Sequence, residues 1–226
     1  QKILPDGNKL GIKIKYLEQD KPRGLPDAFI VGENFINNQP VALILGDNFF
    51  FGQSLTKRLI NCTKLNVGAK VFLHPVKKPS LYGVATINSK NKIVKIVEKP
   101  KKTNSNLAIT GLYFFDNKVT NYSKSLKPSK RKELEIVDLL NKYKKNNKLS
   151  AEIIGRGGAW LDAGSIESFN ATSNFVSSIE NRQGFKIGCI EEVSYNNKWI
   201  NEKKIKEAIE FYGNCEYSKY LYSIVK

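Results

Sequence analysis

The stretch VALILGDN, residues 41–48, decides the fold that this sequence predicts. Its first five residues are aliphatic and Gly46 ends the run, which is typical of a strand buried on both faces that then passes into a loop. We therefore expect Asp47 at the carboxyl end of a strand. Ligands of open α/β sheets bind at that edge, because loops there reach a substrate while the sheet holds them in place.

Outward from this stretch, apolar periodicity predicts alternating strands and helices. Predicted strands span residues 11–17, 41–45, 68–76, 82–87, 92–97, 107–115 and 149–154. Predicted helices span residues 27–36, 54–64, 134–143 and 201–222. A further helix is predicted directly after Ser165, which caps it. This rhythm predicts the α/β class, with a mixed, mostly parallel, Rossmann-like sheet flanked by helices and a helical C-terminal region. The strands between residues 82 and 115 have short connections and should pair partly antiparallel.

Length and composition predict a single domain with a helical appendage, because 226 residues that are 41% hydrophobic can bury a sizeable core. We expect neither a membrane span nor a signal peptide, since the chain has no run of 18 apolar residues and no charged-then-apolar leader. Three scattered cysteines, Cys62, Cys189 and Cys215, with the single His74, argue against a disulfide framework and a zinc cluster. A reducing cytoplasm is the expected location.

The formal net charge of +16 raises the possibility of a nucleic-acid binder. The lysines are scattered among asparagine and isoleucine, however, and no recognition motif accompanies them, so we expect no nucleic-acid partner. A positive field would instead concentrate small anionic substrates such as sugar phosphates and nucleotides.

A second aspartate, Asp162 in AWLDAG (residues 159–164), is predicted on a tight turn between a strand and a helix. Asp47 and Asp162 together suit Mg²⁺, which takes one or two carboxylates and completes its shell with phosphate oxygens and water. The spacing leaves an alternative open, in which Asp47 is a turn residue and Asp162 caps the next helix.

The chain contains no methionine and opens on Gln1. Because translation starts with methionine, which is not normally removed before a residue as large as glutamine, we expect the sequence to be a fragment that lacks its start.

Seven ordered blocks resemble the sugar-1-phosphate nucleotidylyltransferase family and, within it, the bacterial glucose-1-phosphate thymidylyltransferases. The blocks are YLEQDKPRGLPDAF (16–29), LILGDNFFFG (43–52), YGV (82–84), IVEKPKKTNSNLAITGLYFFD (96–116), LKPSKRKELEIVDL (126–139), GRGGAWLDAG (155–164) and NFVSSIENRQGFKIGCIEE (174–192). The family's opening glycine-rich loop, with its arginine and lysine, precedes the first block and is absent from these residues. The resemblance implies a sheet of the nucleotide-diphospho-sugar transferase type.

The same resemblance implies a reaction in which glucose 1-phosphate attacks the α-phosphorus of dTTP and gives dTDP-glucose and pyrophosphate, on the route to dTDP-rhamnose and cell-surface polysaccharide. It implies Asp47 and Asp162 as Mg²⁺ ligands, and these two with Lys99 as the catalytic residues. The implied substrate-binding residues are Gln19 and Gly24 at the base, and Tyr82, Gly83, Glu98 and Ile109 at the sugar. Without the resemblance, an ordinary surface, loop or core role would be favoured for each of these residues.

By the same analogy, residues 174–226 are an assembly and effector region, with a homotetramer inhibited by dTDP-rhamnose. Two departures from the family pattern, Ala163 in place of a usual threonine and Arg23 in the base loop, leave base and sugar specificity open. The alternatives are a nucleotidylyltransferase with another base or sugar and a non-catalytic sugar-nucleotide binding module. We expect the 226-residue fragment alone to be inactive and to leave a sheet edge unpaired.

Overall fold

The computed structural model describes Leu4 and residues 6–226. The chain divides into two compact units. The larger is Leu17–Phe169, and the smaller combines the residues up to Tyr16 with Asn170–Lys226. In the described part of the chain, no helix has the length and apolar character needed to cross a membrane.

From residue 27 onward, the elements of the chain include every predicted strand and helix together with others that we did not predict. They are α1 (Asp27–Val31), α2 (Glu33–Ile36), β1 (Val41–Ile44), β2 (Asn48–Gly52), α3 (Leu55–Thr63), β3 (Ala69–Pro75), β4 (Gly83–Ile87), β5 (Ile93–Glu98), β6 (Leu107–Phe115), α4 (Val119–Lys124), α5 (Ile136–Lys145), β7 (Leu149–Ile153), β8 (Gly158–Asp162), α6 (Ile166–Gln183), α7 (Ile190–Asn196), α8 (Glu202–Tyr212) and α9 (Glu216–Ile224). Short 3-10 turns lie at Asn8–Leu10 and Pro79–Leu81. Ser165 caps α6 as predicted, because its Oγ accepts from the Ser168 N–H at 3.2 Å.

The main sheet of the larger unit has the strand order β5-β4-β6-β3-β7, and β1 also pairs with β6. An α/β fold with a mixed sheet flanked by helices is therefore confirmed. The expectation that the sheet is mostly parallel is wrong for the described strands, because β3 and β7 are parallel while the β1–β6, β3–β6, β4–β5 and β4–β6 pairs are antiparallel. The reason is that β6 runs between β1 and β3, which point the same way without pairing with each other.

Alternate side chains of the sheet bury into two apolar layers, as the two-residue period of a strand requires. Val71 and Leu73 of β3 pack into a cluster with residues of α1, α4 and α5, including Phe29 and Leu139. Phe72 lies in a second cluster with residues of α3 and β6. These two layers hold the sheet between helices and so fix the loops at its edge.

Three local expectations differ from the structure. Residues 11–17 form no strand; the Ile14 N–H donates to Asp6 O at 2.8 Å, outside any strand ladder. Strand β1 is not buried on both faces, since Ile44 is 58% exposed. Finally, β2 lies where we predicted a loop, because its ladder partner β8 is remote in sequence.

The smaller unit has a core of its own around Cys189, Ile205 and Leu221, which are fully or almost fully buried between α7, α8 and α9. The predicted helical tail is confirmed. The buried carboxylate of Glu191 accepts hydrogen bonds from the Tyr212 hydroxyl at 2.9 Å and the Tyr217 hydroxyl at 2.5 Å, so polar contacts also tie these helices together.

Candidate active site

A two-stranded antiparallel ribbon, formed by β2 and β8, brings the two predicted metal ligands together. Asn48 lies opposite Asp162 in its register, so Asp47 and Asp162 meet at the same end of the ribbon. The Ala163 N–H donates to the backbone oxygen of Asp47 at 2.7 Å and extends the pairing by one residue. Backbone hydrogen bonds, rather than side-chain packing alone, therefore set the separation of these aspartates.

The two carboxylates flank Gly164. A Cβ atom built on Gly164 would lie 3.2 Å from Oδ2 of Asp47 and 3.0 Å from Oδ1 of Asp162. The Gly164 N–H donates to the same Asp162 oxygen at 3.0 Å and holds that carboxylate in place. The absence of a side chain at Gly164 therefore keeps open the space beside both acidic groups.

The donor chemistry of this pair fits a hard divalent cation. Among the described residues, no group of three or more His, Cys, Asp or Glu side chains converges on a metal position, which argues against a closed protein cage there. Mg²⁺ is commonly bound by one or two carboxylates while phosphate oxygens and water complete its shell, so a pair of carboxylates without further protein ligands suits this ion.

Asn48, which we did not predict as a site residue, orients Asp47. Its amide nitrogen donates to Oδ1 of Asp47 at 2.8 Å, and its amide oxygen accepts from the Trp160 indole at 2.6 Å and from the Gly111 N–H at 2.8 Å. A Cβ on Gly111 would lie 2.6 Å from the Asn48 side chain, so a larger residue would displace this amide. The available signal was the asparagine directly after Asp47 in GDN.

Tyr82 connects the carboxylate pair to the predicted sugar residues. Its ring packs edge-on against Trp160, with 5.1 Å between ring centroids. Burial and the nearby negative charge of Asp162 raise the pKa of the Tyr82 hydroxyl above its ordinary value. The hydroxyl therefore holds its proton more tightly and can donate a hydrogen bond to a ligand.

The predicted sugar residues Gly83, Glu98 and Ile109 lie together. Gly83 pairs with Glu98 in the β4–β5 ladder. A Cβ on Gly83 would lie 3.1 Å from Oε2 of Glu98, and 3.7 Å from both Ile109 Cδ1 and Val137 Cγ2. The result is a small space with one carboxylate and an apolar wall. Val137, on α5, belongs to that wall, and we did not predict it as a site residue.

Lys99 follows Glu98 and has an unusual backbone. Its φ of 41° is in the left-handed region, which costs a residue with a side chain about 1–2 kcal/mol. The Lys99 N–H donates to the backbone oxygen of Tyr82 at 3.0 Å and helps to hold this conformation. Strained backbone that its surroundings enforce is often found where a side chain must be aimed, which makes Lys99 a candidate for substrate contact.

The predicted base-reading residues Gln19 and Gly24 form a group of their own. The Gln19 amide nitrogen donates to Asp27 at 2.7 Å and to Gly24 O at 3.4 Å. Gly24 has a φ of 95°, and a Cβ there would lie 2.1 Å from Leu134 O, so only glycine fits. The Leu134 N–H donates to Arg23 O at 2.7 Å and fastens the loop to the segment that leads into α5.

That segment also carries the cation Arg131. Its guanidinium donates to both oxygens of Glu135, at 3.0 and 2.7 Å from one nitrogen. Glu135, and more weakly Glu98, raise the pKa of Arg131. Arg131 and Glu135 thus form an ion pair at the start of α5.

Comparison with known proteins places the chain among nucleotide-processing transferases. The model of the nucleotidyl transferase family matches residues 1–179. The chain is 43% identical over 226 residues to a glucose-1-phosphate thymidylyltransferase from Neisseria meningitidis serogroup A, covering 100% of this chain and 78% of that protein. It is 37% identical over 225 residues to the protein of the same name from Mycobacterium tuberculosis, with the same coverage of both chains.

Solved structures agree with this similarity. A structure from Bacillus anthracis, named as a glucose-1-phosphate thymidylyltransferase in complex with a sucrose, is similar at a TM-score of 0.69 and 38% identity, covering 77% of this chain and 69% of that one. A UDP-glucose pyrophosphorylase complexed with UDP-glucose is similar at a TM-score of 0.65 and 28% identity, over 73% of this chain and 66% of that one.

Proposed function

This chain belongs to the nucleotidyl transferase family, and we propose that it transfers a thymidylyl group from dTTP to α-D-glucose 1-phosphate. The products are dTDP-glucose and pyrophosphate. Curated relatives named for this activity match the chain along its whole length, which supports both substrates. The family as a whole combines a nucleoside triphosphate with a sugar 1-phosphate.

The β2–β8 ribbon is the observation that carries the proposal. It holds Asp47 and Asp162 on either side of Gly164, where the two carboxylates would hold a divalent cation. We propose Mg²⁺ as that cation; when bound, it neutralises phosphate charge that would otherwise repel the approaching nucleophile.

Residues of the chain position the other reactant. Tyr82, Glu98 and the backbone at Gly83 and Ile109 would bind the sugar hydroxyls, and the Lys99 ammonium would offset the charge of the 1-phosphate. An oxygen of that phosphate forms the new bond to the α-phosphorus as the bond to the β-phosphate oxygen breaks, and pyrophosphate leaves. The nucleophile is already an anion, so the step needs alignment and charge neutralisation rather than a general base.

Assembly and location are further proposals. A homotetramer, with residues 174–226 as its assembly and effector region, rests on the resemblance alone. A cytoplasmic location is supported by the three free cysteines, since unpaired thiols are the rule in reducing compartments.

The test is pyrophosphate release by the full-length protein supplied with dTTP, glucose 1-phosphate and Mg²⁺. Asp47→Asn and Asp162→Asn should each lower the rate by at least about 100-fold, because each removes a charged metal ligand. Asp138→Asn, which changes an exposed carboxylate on α5, is the matched control and should keep near-normal activity.

Two results would contradict the proposal. Release with another nucleotide or sugar phosphate but not with this pair would favour a different specificity within the family. No release with any pair, despite nucleotide binding, would favour a non-catalytic sugar-nucleotide binding module.

A further inference from the structure

Asp27 is a buried carboxylate in the first turn of α1, and only 4% of the residue is exposed. Its Oδ2 accepts from the Gln19 amide nitrogen at 2.7 Å and from Arg23 Nε at 3.2 Å. Carboxylates are seldom buried without a specific set of partners, so this residue is expected to determine the geometry of those partners.

The contact with Asp27 settles which way the Gln19 amide points. An amide has a donor end and an acceptor end that look alike in shape, so its orientation follows from its hydrogen-bond partners. The Asp27 oxygen that Gln19 contacts also accepts from the Arg23 guanidinium, so it is an acceptor and the nitrogen end of Gln19 must face it. The oxygen end, Oε1, therefore faces away from it.

The second hydrogen on that nitrogen is also engaged. Gln19 Nε2 donates to the backbone oxygen of Gly24 at 3.4 Å as well as to Asp27. Both donors of the amide are thus used inside the loop. Because Gln19 itself is exposed, its oxygen is the part of the amide that can meet a ligand, and it can do so only as a hydrogen-bond acceptor.

On the premise of the proposed nucleotidyl transfer, in which Gln19 faces the base, we propose that Asp27 is a positioning residue that selects among pyrimidines. It fixes Gln19 as an acceptor, which pairs with the N3–H of thymine or uracil. Cytosine presents an acceptor at N3, so two acceptors would face each other and neither would be satisfied. Gln19 itself contacts the base and discriminates between the pyrimidines. Asp27 determines that Gln19 presents its amide oxygen, an acceptor, to the base.

Binding of dTTP and dCTP to the full-length protein, measured by titration calorimetry, tests this assignment. Asp27→Asn keeps the size of the side chain but adds a donor, which lets the Gln19 amide turn over. The ratio of dTTP affinity to dCTP affinity should then fall by about tenfold or more, the value of one well-placed hydrogen bond. Asp27→Glu retains an acceptor and should preserve part of the preference, whereas the exposed Asp20→Asn in the same loop should leave the ratio unchanged.

A second measurement does not depend on how well the variants fold. The triphosphate of N3-methylthymidine lacks the N3–H, and the unaltered protein should bind it at least about tenfold more weakly than dTTP. Equal affinity for these two ligands would overturn the assignment. A uniform loss of affinity for dTTP and dCTP in Asp27→Asn, with an unchanged ratio, would overturn it as well, because a purely structural role predicts that result.

These readouts are separate from the test of the transferase. Pyrophosphate release with an unchanged base preference in Asp27→Asn removes the role of Asp27 and leaves the transferase intact. A base preference that depends on Asp27 in a protein that releases no pyrophosphate supports the role of Asp27 and overturns the transferase.

Discussion

The side-chain amide of Asn48 donates to Oδ1 of Asp47 across 2.8 Å, so the residue after the proposed metal ligand sets the orientation of that ligand. The orientation of the amide is itself determined, because its oxygen accepts from Trp160 on β8 and from Gly111 on β6. Asn48 therefore links the β2–β8 ribbon, the main sheet and the carboxylate of Asp47.

We predict that Asn48→Ala lowers kcat/KM by about 10-fold to 100-fold and raises the Mg²⁺ concentration needed for half-maximal rate, as expected when a partner of a metal ligand is lost. Pyrophosphate release measured over a range of Mg²⁺ concentrations checks both effects. Asn174→Ala, an exposed position on α6, is the control. A slower enzyme with an unchanged Mg²⁺ requirement would argue against the positioning role.

The Gly24 backbone is predicted to tolerate no side chain. Gly24→Ala would place a Cβ at 2.1 Å from Leu134 O, so the loop that carries Gln19 has to move. We expect dTTP affinity to fall by at least about tenfold and the free energy of unfolding by roughly 2 kcal/mol. Calorimetry and urea unfolding give the two values.

Gly184→Ala is the control that separates the effect of the Cβ contact with Leu134 from the effect of a positive φ. Gly184 also has a positive φ, 74°, but a Cβ there meets no atom within 4 Å. This variant should lose only about 1 kcal/mol and keep its dTTP affinity. Similar losses of affinity in both glycine variants would show that the contact with Leu134 does not matter.

The chain's single histidine gives a testable pH dependence. Burial lowers the pKa of His74 below its ordinary value of 6.5, and among the described residues its Nδ1 is buried without a hydrogen-bond partner. The unfolded chain therefore takes up a proton at a higher pH than the folded protein does. The His74 contribution to stability is present above pH 6.5 and is lost as the pH falls from there through the folded pKa.

His74→Phe keeps an aromatic ring beside Trp160, whose ring centroid lies 6.2 Å from that of His74, but cannot titrate. We predict a smaller fall in Tm for this variant than for the unaltered protein between about pH 7.5 and about pH 5.5. Thermal unfolding followed by circular dichroism is the measurement. Parallel pH profiles for the two proteins would refute the prediction.

In the smaller unit, the Tyr217 hydroxyl is predicted to stabilise the fold. Tyr217→Phe removes one of the two tyrosine hydroxyls that donate to the buried Glu191 carboxylate and should cost about 1–3 kcal/mol. Tyr222 is 54% exposed, so Tyr222→Phe should change stability by less than about 0.5 kcal/mol. The measurement is urea unfolding of both variants. Equal free energies of unfolding for Tyr217→Phe and Tyr222→Phe would exclude a stabilising role for the Tyr217–Glu191 contact.

Most elements could be predicted from the sequence because their apolar periods are local. The failures all depend on partners that a local pattern does not contain. The IKIKY alternation near residue 14 has the period of a strand but forms no ladder among the described residues, and β2 needs β8, which follows it only after most of the larger unit. The direction of β6 between β1 and β3 is likewise a tertiary property.

The residues of the candidate site could likewise be predicted from the sequence only in part. Asp47 and Asp162 could be singled out because each follows an apolar run, whereas Asn48 and Asp27 act through buried contacts that become apparent only in three dimensions. The assigned roles of Asp47, Asp162, Lys99 and the base and sugar residues stay predictions until the variants are measured.

The β2–β8 ribbon has a consequence for refolding kinetics. Its two strands close a very long loop, and closing it costs entropy before any ladder bond forms. The helical signal can recover early, since helix contacts are local. Asp47 and Asp162 come together only once the β2–β8 ladder has formed. Cation affinity should therefore return later than helicity when denaturant is diluted.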